Sequence, residues 1–207
     1  MPFAHLTLTL AAATMAPTVA PAPPVQPTAT KLISGFRSAR FRMSPSDVRR
    51  AITTDFPNLP VAERFQPTEG TRVLQLTVPN LDPGPGPAVV SYVFGAMSHT
   101  LALVSVRWAT RADATADDRK AVAVAALQLN SFLRASAQPK TVVDAKVLRP
   151  GEVSLYGALD ANGAGVELVA SGIPYVSKSD LPVLPSGPAT LRLSYMVNPA
   201  NPDVRPN

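Results

Sequence analysis

Two histidines are the first candidates for catalysis or metal binding, because the chain of 207 residues contains no cysteine. His5 lies in an apolar segment at the start of the sequence, so His99 is the single histidine of the remainder. One histidine cannot build a multi-histidine metal site, and without cysteine there is no thiolate ligand, cysteine nucleophile or disulfide. The stretch AMSH places His99 between two β-prone runs, in a solvated turn. These residues predict no catalytic, cofactor-binding or metal site.

The carboxylates also lack the spacing that a reaction or a bound cation would require. Asp117 and Asp118 stand together at the expected start of a helix, where the positive end of the helix dipole explains them. Asp160, in the stretch DANG, lacks the alternating carboxylates of a calcium loop. The sequence has no G-x-G-x-x-G or Walker motif, and the prolines of PNLDPGPGP have no N–H group to offer a phosphate. The sequence therefore favours a binding or scaffolding protein over an enzyme.

The net charge is +5 at neutral pH, and the basic residues that set it are scattered rather than clustered. Nucleic-acid binding calls for a basic stripe interleaved with aromatic residues, and only Arg37, Arg40 and Arg42 come close to one. These three either meet an acidic partner or anionic lipid head groups, or they form a solvated strand face. We therefore predict no nucleic-acid partner. The hydrophobic content of 46% predicts a packed core.

Composition divides the chain into four parts. Residues 1–20 are apolar and end in small residues, which is the pattern of a secretory signal peptide, and no Lys, Arg, Asp or Glu precedes Lys31. This pattern predicts export to a bacterial periplasm. Residues 21–31 are interpreted as a Pro- and Ala-rich extended segment, residues 32–197 as a single α+β domain, and residues 198–207 as an irregular Pro-rich tail.

Two helices are indicated by their start signals. Each begins with the spacing of a capping box, Ser44 with Asp47 and Thr115 with Asp118. Pro45 at the first helical position supports the first of these starts. An apolar stripe of helical period follows each start. The stripe residues are Val48, Ile52 and Phe56 in the first helix, and Val122, Ala126, Leu129 and Leu133 in the second, which is predicted to end near Arg134.

Strand patterns fill most of the remaining chain. Residues 71–78 alternate apolar and polar side chains, and residues 88–95 and 100–110 are β-prone runs that a short turn joins into a hairpin. The turn signal DANGAG joins two further strands, and residues 189–197 form a last one. The segment between the first helix and Gly70 is interpreted as a Pro-punctuated loop. This order predicts an α+β fold with two helices packed on an antiparallel sheet, and it is consistent with two α-β-β-β units.

Four residues are candidates for contact with a partner protein. Trp108 ends a strand and would be an interface anchor, with packing in or beside the core as the alternative. In the tail, Asp203 and Arg205 would supply polar contacts and Val204 an apolar one. The prolines of residues 198–207 restrict the unbound chain, so the tail could lie along a partner at a low cost in ordering entropy. A disordered terminus is the alternative.

Three stretches together resemble a known family. They are LISGFRSARFRM at residues 32–43, AVVSYVFG at residues 88–95 and YMVNPANPDV at residues 195–204. They resemble the small, cofactor-free subunit of the membrane-bound quinohaemoprotein alcohol dehydrogenases of acetic acid bacteria, although that family has Gly where this chain has Arg42. The stretch RMSPSDVRRAI, at residues 42–52, is similar to the helix start of envelope domains of the BamE and β-lactamase-inhibitor-protein type.

The first resemblance implies a non-catalytic periplasmic accessory subunit that stabilises a membrane-associated oxidoreductase complex. It implies no cofactor in this chain. The implied partners are a large quinoprotein dehydrogenase subunit, which carries pyrroloquinoline quinone (PQQ) and calcium, and a cytochrome c subunit with haem c. Association with the membrane would be peripheral and would come through the complex. The alternative is a free-standing periplasmic envelope protein that binds, scaffolds or inhibits an unrelated protein.

Overall fold

Two helices and eleven strands form in the part of the chain that the computed structural model describes, which is residues 33–66, 70–136, 141–143, 145–174 and 187–204. The expected signal peptide (residues 1–20), the segment 21–31 and Arg205 lie outside the described residues. The helices are α1 (Pro45–Asp55) and α2 (Ala116–Ser136). The strands are β1 (Gly35–Phe36), β2 (Ala39–Arg40), β3 (Ala62–Gln66), β4 (Thr71–Val78), β5 (Ala88–Phe94), β6 (Leu101–Ala109), β7 (Thr141–Val143), β8 (Lys146–Arg149), β9 (Glu152–Leu159), β10 (Gly165–Ser171) and β11 (Thr190–Met196).

Both helices begin at the residues that the capping signals indicate. At α1 the hydroxyl of Ser44 accepts a hydrogen bond of 3.3 Å from the backbone N–H of Asp47. At α2 the exchange is reciprocal, since the Thr115 hydroxyl accepts from the N–H of Asp118 at 3.1 Å and the Asp118 carboxylate accepts from the N–H of Thr115 at 2.9 Å. These bonds satisfy donors that the first helical turn leaves unpaired. The predicted helix starts are confirmed.

The long strands form one antiparallel sheet of nine strands, and the two halves of the chain meet at its centre. The strand order is β3-β4-β5-β6-β11-β10-β9-β7, with β8 also paired to β9. Each helix is followed by an antiparallel run of strands, and the last strands of the two runs, β6 and β11, pair with each other. The predicted α+β fold, with two helices and an antiparallel sheet, is confirmed.

The sheet has more strands than the sequence predicts. β3 lies in the segment interpreted as a loop, and β7 and β8 were not predicted, so the halves exceed the three strands of an α-β-β-β unit. Almost all residues of these three strands are exposed. They form because β4 and β9 have free backbone groups to pair with, and since they cover no core their sequences carry no alternation to detect.

The hydrophobic core lies on one face of the sheet. Alternate residues of the central strands, such as Tyr92 on β5 and Leu168 on β10, share a single buried cluster with Ile52 of α1 and Val122 of α2. The small β1–β2 hairpin joins this side, where its Phe36 ring lies 5.9 Å from that of Tyr195. Both helices therefore pack on the same face. None of the helices in the described part of the chain is long and apolar enough to cross a membrane.

Candidate interaction surface

The sheet face opposite the helices lies outside the buried core cluster. The strand registers place the side chains that point away from the core in continuous rows across β4, β5, β6, β11 and β10. None of these side chains belongs to the cluster that holds both helices. We call this surface the open face. Its residues are Val73, Gln75, Thr77, Val89, Ser91, Val93, Leu103, Ser105, Arg107, Thr190, Arg192, Ser194, Met196, Glu167 and Val169.

The middle of the open face combines small hydroxyl groups with half-buried apolar side chains. Ser91, Ser105 and Ser194 stand in one row on adjacent strands, and the Gln75 side chain donates a hydrogen bond of 2.9 Å to the Ser91 hydroxyl. The next row runs from Val73 through Val93 and Leu103 to Met196. An antiparallel sheet with a solvated second face normally carries polar residues there. The apolar row therefore departs from the polar pattern of a solvated sheet face.

Trp108 lies on the core side of β6 and not on the open face. Its side chain is 2% exposed, and the loop after β4 covers it so closely that a Cβ atom at Gly84 would collide with the indole ring. The indole N–H has no hydrogen-bond partner among the described residues. The structure thus corresponds to the core-packing alternative for Trp108, and its role as an interface anchor stays a prediction.

The tail is fastened to the turn between β5 and β6. The Asp203 carboxylate accepts hydrogen bonds of 2.9 Å from the backbone N–H groups of Met97 and Ser98, and its carbonyl accepts from Ala96 at 2.9 Å. Hydrogen bonding by Ser98 is the main cause that lowers the pKa of Asp203. Gly95 is required here because a Cβ atom would occupy the place of the carboxylate.

Val204, the next tail residue, is 8% exposed and packs against the chain itself. Residues 198–204 contain no helix or strand, as the proline content predicts. Asp203 and Val204 therefore have an internal structural role, and a contact of either residue with a partner stays a prediction. The fourth candidate, Arg205, lies outside the described residues.

His99 lies in the β5–β6 turn, as expected, and adopts a positive φ of 54°. It borders a cleft of about 300 Å³ between the first turn of α1 and the end of the sheet. Phe65 and Arg72 also line this cleft, and Arg72 forms an ion pair of 3.2 Å with Glu63. The described residues contain no group of three or more His, Asp or Glu side chains that could hold a metal ion.

The remaining titratable candidates are turned toward the protein. Asp160 is 2% exposed, and its carboxylate accepts hydrogen bonds from the backbone N–H groups of Ile33, Asn162 and Ala164 at 2.8 to 3.0 Å. Burial raises the pKa of Tyr195 to about 12 and also raises the pKa of Tyr92. The raised pKa values keep both phenols protonated at physiological pH.

The three arginines near the start of the described chain do not form a stripe. The guanidinium of Arg37 lies 4.9 Å from the ring centroid of Phe56 and 5.8 Å from that of Phe36, within cation–π range. A side-chain nitrogen of Arg40 donates to the carbonyl of Arg37. Arg42 has a positive φ of 69° in the turn that leads to α1. Two of the three are thus occupied by local contacts.

Comparison with known proteins gives no match, since no protein-family model, curated protein or solved structure is similar to this chain. The class of the protein is therefore set by its own geometry. It is an α+β protein in which both helices cover one face of an antiparallel sheet with long and short strands. Among the described residues, no helix covers the other face.

The sequence contains a signal for the open face, but the signal can be interpreted only once the strand registers are known. In residues 71–78 the alternation separates Leu74 and Leu76 from Gln75 and Thr77, and the two sets indeed lie on opposite faces. Alternation within one strand does not say which strand lies beside it. The rows across β6 and β11 join residues far apart in the sequence, such as Leu103 and Met196, and could not be assembled from local patterns.

Proposed function

We propose that this chain is a non-catalytic periplasmic accessory subunit that stabilises a membrane-associated oxidoreductase complex. Following the resemblance of residues 32–43, 88–95 and 195–204, the complex is a quinoprotein alcohol dehydrogenase. The partners are then the large dehydrogenase subunit, which supplies PQQ and calcium, and a cytochrome c subunit, which supplies haem c. The chain itself contributes a binding surface and no reacting group.

The single observation that supports this proposal is the open face. A face of five central strands carries the half-buried Val93, Leu103 and Met196, while both helices lie on the other side. These three side chains form an apolar row within a face that is otherwise largely polar, and an apolar surface rimmed by polar residues can mark a contact with another protein. A partner subunit that covers the open face would remove these side chains from water, at about 25 cal/mol for each Å² of apolar surface buried.

The alternative function is a free-standing envelope protein that binds, scaffolds or inhibits another protein. The observation in its favour is the arrangement of the two halves, in which each helix precedes an antiparallel run of strands and the runs join through β6 and β11. The second resemblance, at residues 42–52, concerns the start of the helix that precedes the first of these runs. Both functions use the open face, and they differ in the identity of the protein bound.

The test is capture of partners from native membranes that have been solubilised in mild detergent, with the tagged chain as bait and mass spectrometry as the readout. We expect a quinoprotein subunit and a cytochrome c subunit to co-purify with the bait in constant ratio. Recovery of an envelope protein without a redox cofactor would favour the alternative. Recovery of no partner above the level of an untagged control would contradict both functions.

A pair of variants tests whether the open face makes the contact. Leu103→Glu introduces a charge among the half-buried side chains of the open face and should abolish capture of the partner. Leu127→Glu is the matched control, because Leu127 is 63% exposed on α2, on the other side of the sheet. Equal capture by the two variants would place the contact elsewhere. Circular dichroism should verify that both variants are folded.

A further inference from the structure

Two arginines stand directly opposite each other at the centre of the open face. Arg107 on β6 is the register partner of Arg192 on β11, and these two strands join the halves of the sheet. Val89 flanks Arg107 on the next strand, and Val169 flanks Arg192 on the other side. Two like charges therefore stand side by side in this row, with one valine on each side of the pair.

This arrangement is unfavourable for the folded chain on its own. Like charges directly opposite each other on neighbouring antiparallel strands destabilise a sheet. A carboxylate oxygen of Glu167 lies 3.5 Å from a nitrogen of Arg192. Outside the backbone pairing of β6, the guanidinium of Arg107 makes no hydrogen bond or ion pair with any residue that the structure describes. At least one of the two guanidinium groups thus has its charge unbalanced.

The groups around the pair fit a carboxylate rather than a cation or a wholly apolar surface. Ser105 and Ser194 lie in the adjacent row and bring hydroxyl groups that can donate hydrogen bonds. A guanidinium presents a planar fork of N–H donors that matches the two oxygens of a carboxylate, and it loses less on desolvation than an ammonium group. Apolar side chains on both sides would exclude water from such a contact.

We infer that Arg107 and Arg192 anchor an acidic patch of the partner, in which Asp or Glu side chains are surrounded by apolar residues. This inference rests on the proposed function, because it names the chemistry of the partner that covers the open face. The carboxylates of the partner supply the charge that the sheet lacks. The cross-strand repulsion is then relieved in the complex, and binding becomes dependent on ionic strength.

The first test measures binding of a fluorescently labelled, glutamate-rich peptide by anisotropy at low salt. The double variant Arg107→Gln/Arg192→Gln should bind the peptide about tenfold more weakly than the wild type, the loss expected for removal of close charge pairs. The control Arg111→Gln/Lys120→Gln removes the same charge from exposed positions away from the open face and should change the affinity by less than about twofold. Equal losses in the two double variants would overturn the inference.

The second test repeats the partner capture with the same two double variants. If the wild type captures a partner and the open-face double variant captures it equally well in moderate salt, the two arginines do not anchor the partner, while the proposed function stands. If the wild type captures no partner, the proposed function fails, and the peptide experiment alone decides the inference. Thermal unfolding separates binding from folding, because in Arg107→Gln/Arg192→Gln the relief of repulsion offsets the loss of the Arg192–Glu167 ion pair, and the melting temperature should stay close to that of the wild type.

Discussion

At the scale of single residues, three of the aspartates accept hydrogen bonds from backbone N–H groups of the chain itself. Asp118 satisfies the start of α2, Asp160 accepts three backbone N–H groups in the β9–β10 turn, and Asp203 fastens the tail to the β5–β6 turn. A carboxylate that accepts backbone hydrogen bonds is stabilised in its charged form and becomes a poorer base. The lowered pKa values of Asp118 and Asp203 are the electrostatic consequence of this role.

Asp203 gives a prediction about the dependence of stability on pH. Its pKa in the folded chain lies below the ordinary value of 3.8, so its contribution is fully present above that pH and is lost as the pH falls through the folded pKa. We expect Asp203→Asn to lower the free energy of unfolding by about 1 kcal/mol at neutral pH. The variant has one neutral amide oxygen where the wild type has two charged carboxylate oxygens that accept from backbone N–H groups. Melting temperatures of wild type and variant should converge in acid.

The control for this prediction is Asp113→Asn. Asp113 forms an ion pair of 3.2 Å with Arg111 in which the side chains are 75% and 90% exposed, and such pairs contribute little. Its melting temperature should follow that of the wild type at every pH. A difference between wild type and Asp203→Asn that is as large in acid as at neutral pH would show that the carboxylate charge is not the cause.

At the scale of elements, the helix starts are set by short polar signals and the helix bodies by the core. α2 carries Val122, Leu129 and Leu133 on its buried side, while Leu127 and Phe132 are about 60% exposed or more. Because packing alone would allow such a helix to slide or fray at its first turn, the capping box defines where it begins.

Removal of the Thr115 cap tests this account. Thr115→Ala should destabilise the protein by about 1 kcal/mol, since the first turn loses a hydrogen bond to a backbone N–H group. Asp117→Asn is the matched control, because Asp117 lies in the same turn without a part in the capping box. Urea unfolding followed by circular dichroism measures both. Equal unfolding midpoints for Thr115→Ala and the wild type would show that packing alone fixes the start of α2.

The elements with local signals could be predicted from the sequence, and those without could not. Ser44 and Thr115 mark both helix starts, and the alternation of residues 71–78 marks β4 with its bounds. β3 and β7 have no such signal, since they are exposed edge strands whose pairing is decided by a neighbour. The engagement of Asp203 with Met97 joins positions more than a hundred residues apart and has no local signature. The open face was missed for the same reason.

At the scale of the whole molecule, one core connects the two halves. Leu74 and Ile52 from the first half and Leu168 and Val122 from the second belong to the same buried cluster. The β6–β11 pairing makes the sheet continuous across the junction. A continuous sheet over a shared core has no internal boundary at which one half could unfold while the other keeps its packing, so we expect a single cooperative transition.

Leu168→Ala tests this cooperativity with Trp108 as a reporter from the other half. Leu168 is fully buried on β10, and its truncation should cost about 3 kcal/mol, the usual loss for a buried leucine. Trp108 is the single tryptophan of the chain and lies on β6. If the sheet unfolds as one unit, Leu168→Ala should lower the urea midpoint seen by Trp108 fluorescence as far as the midpoint seen by circular dichroism. Leu127→Ala, at an exposed position of α2, should change the unfolding free energy from either measurement by no more than about 0.5 kcal/mol. A fluorescence transition that keeps its wild-type midpoint in Leu168→Ala, while circular dichroism shows a separate earlier step, would mean that the halves unfold independently and that the β6–β11 junction is a contact between two domains.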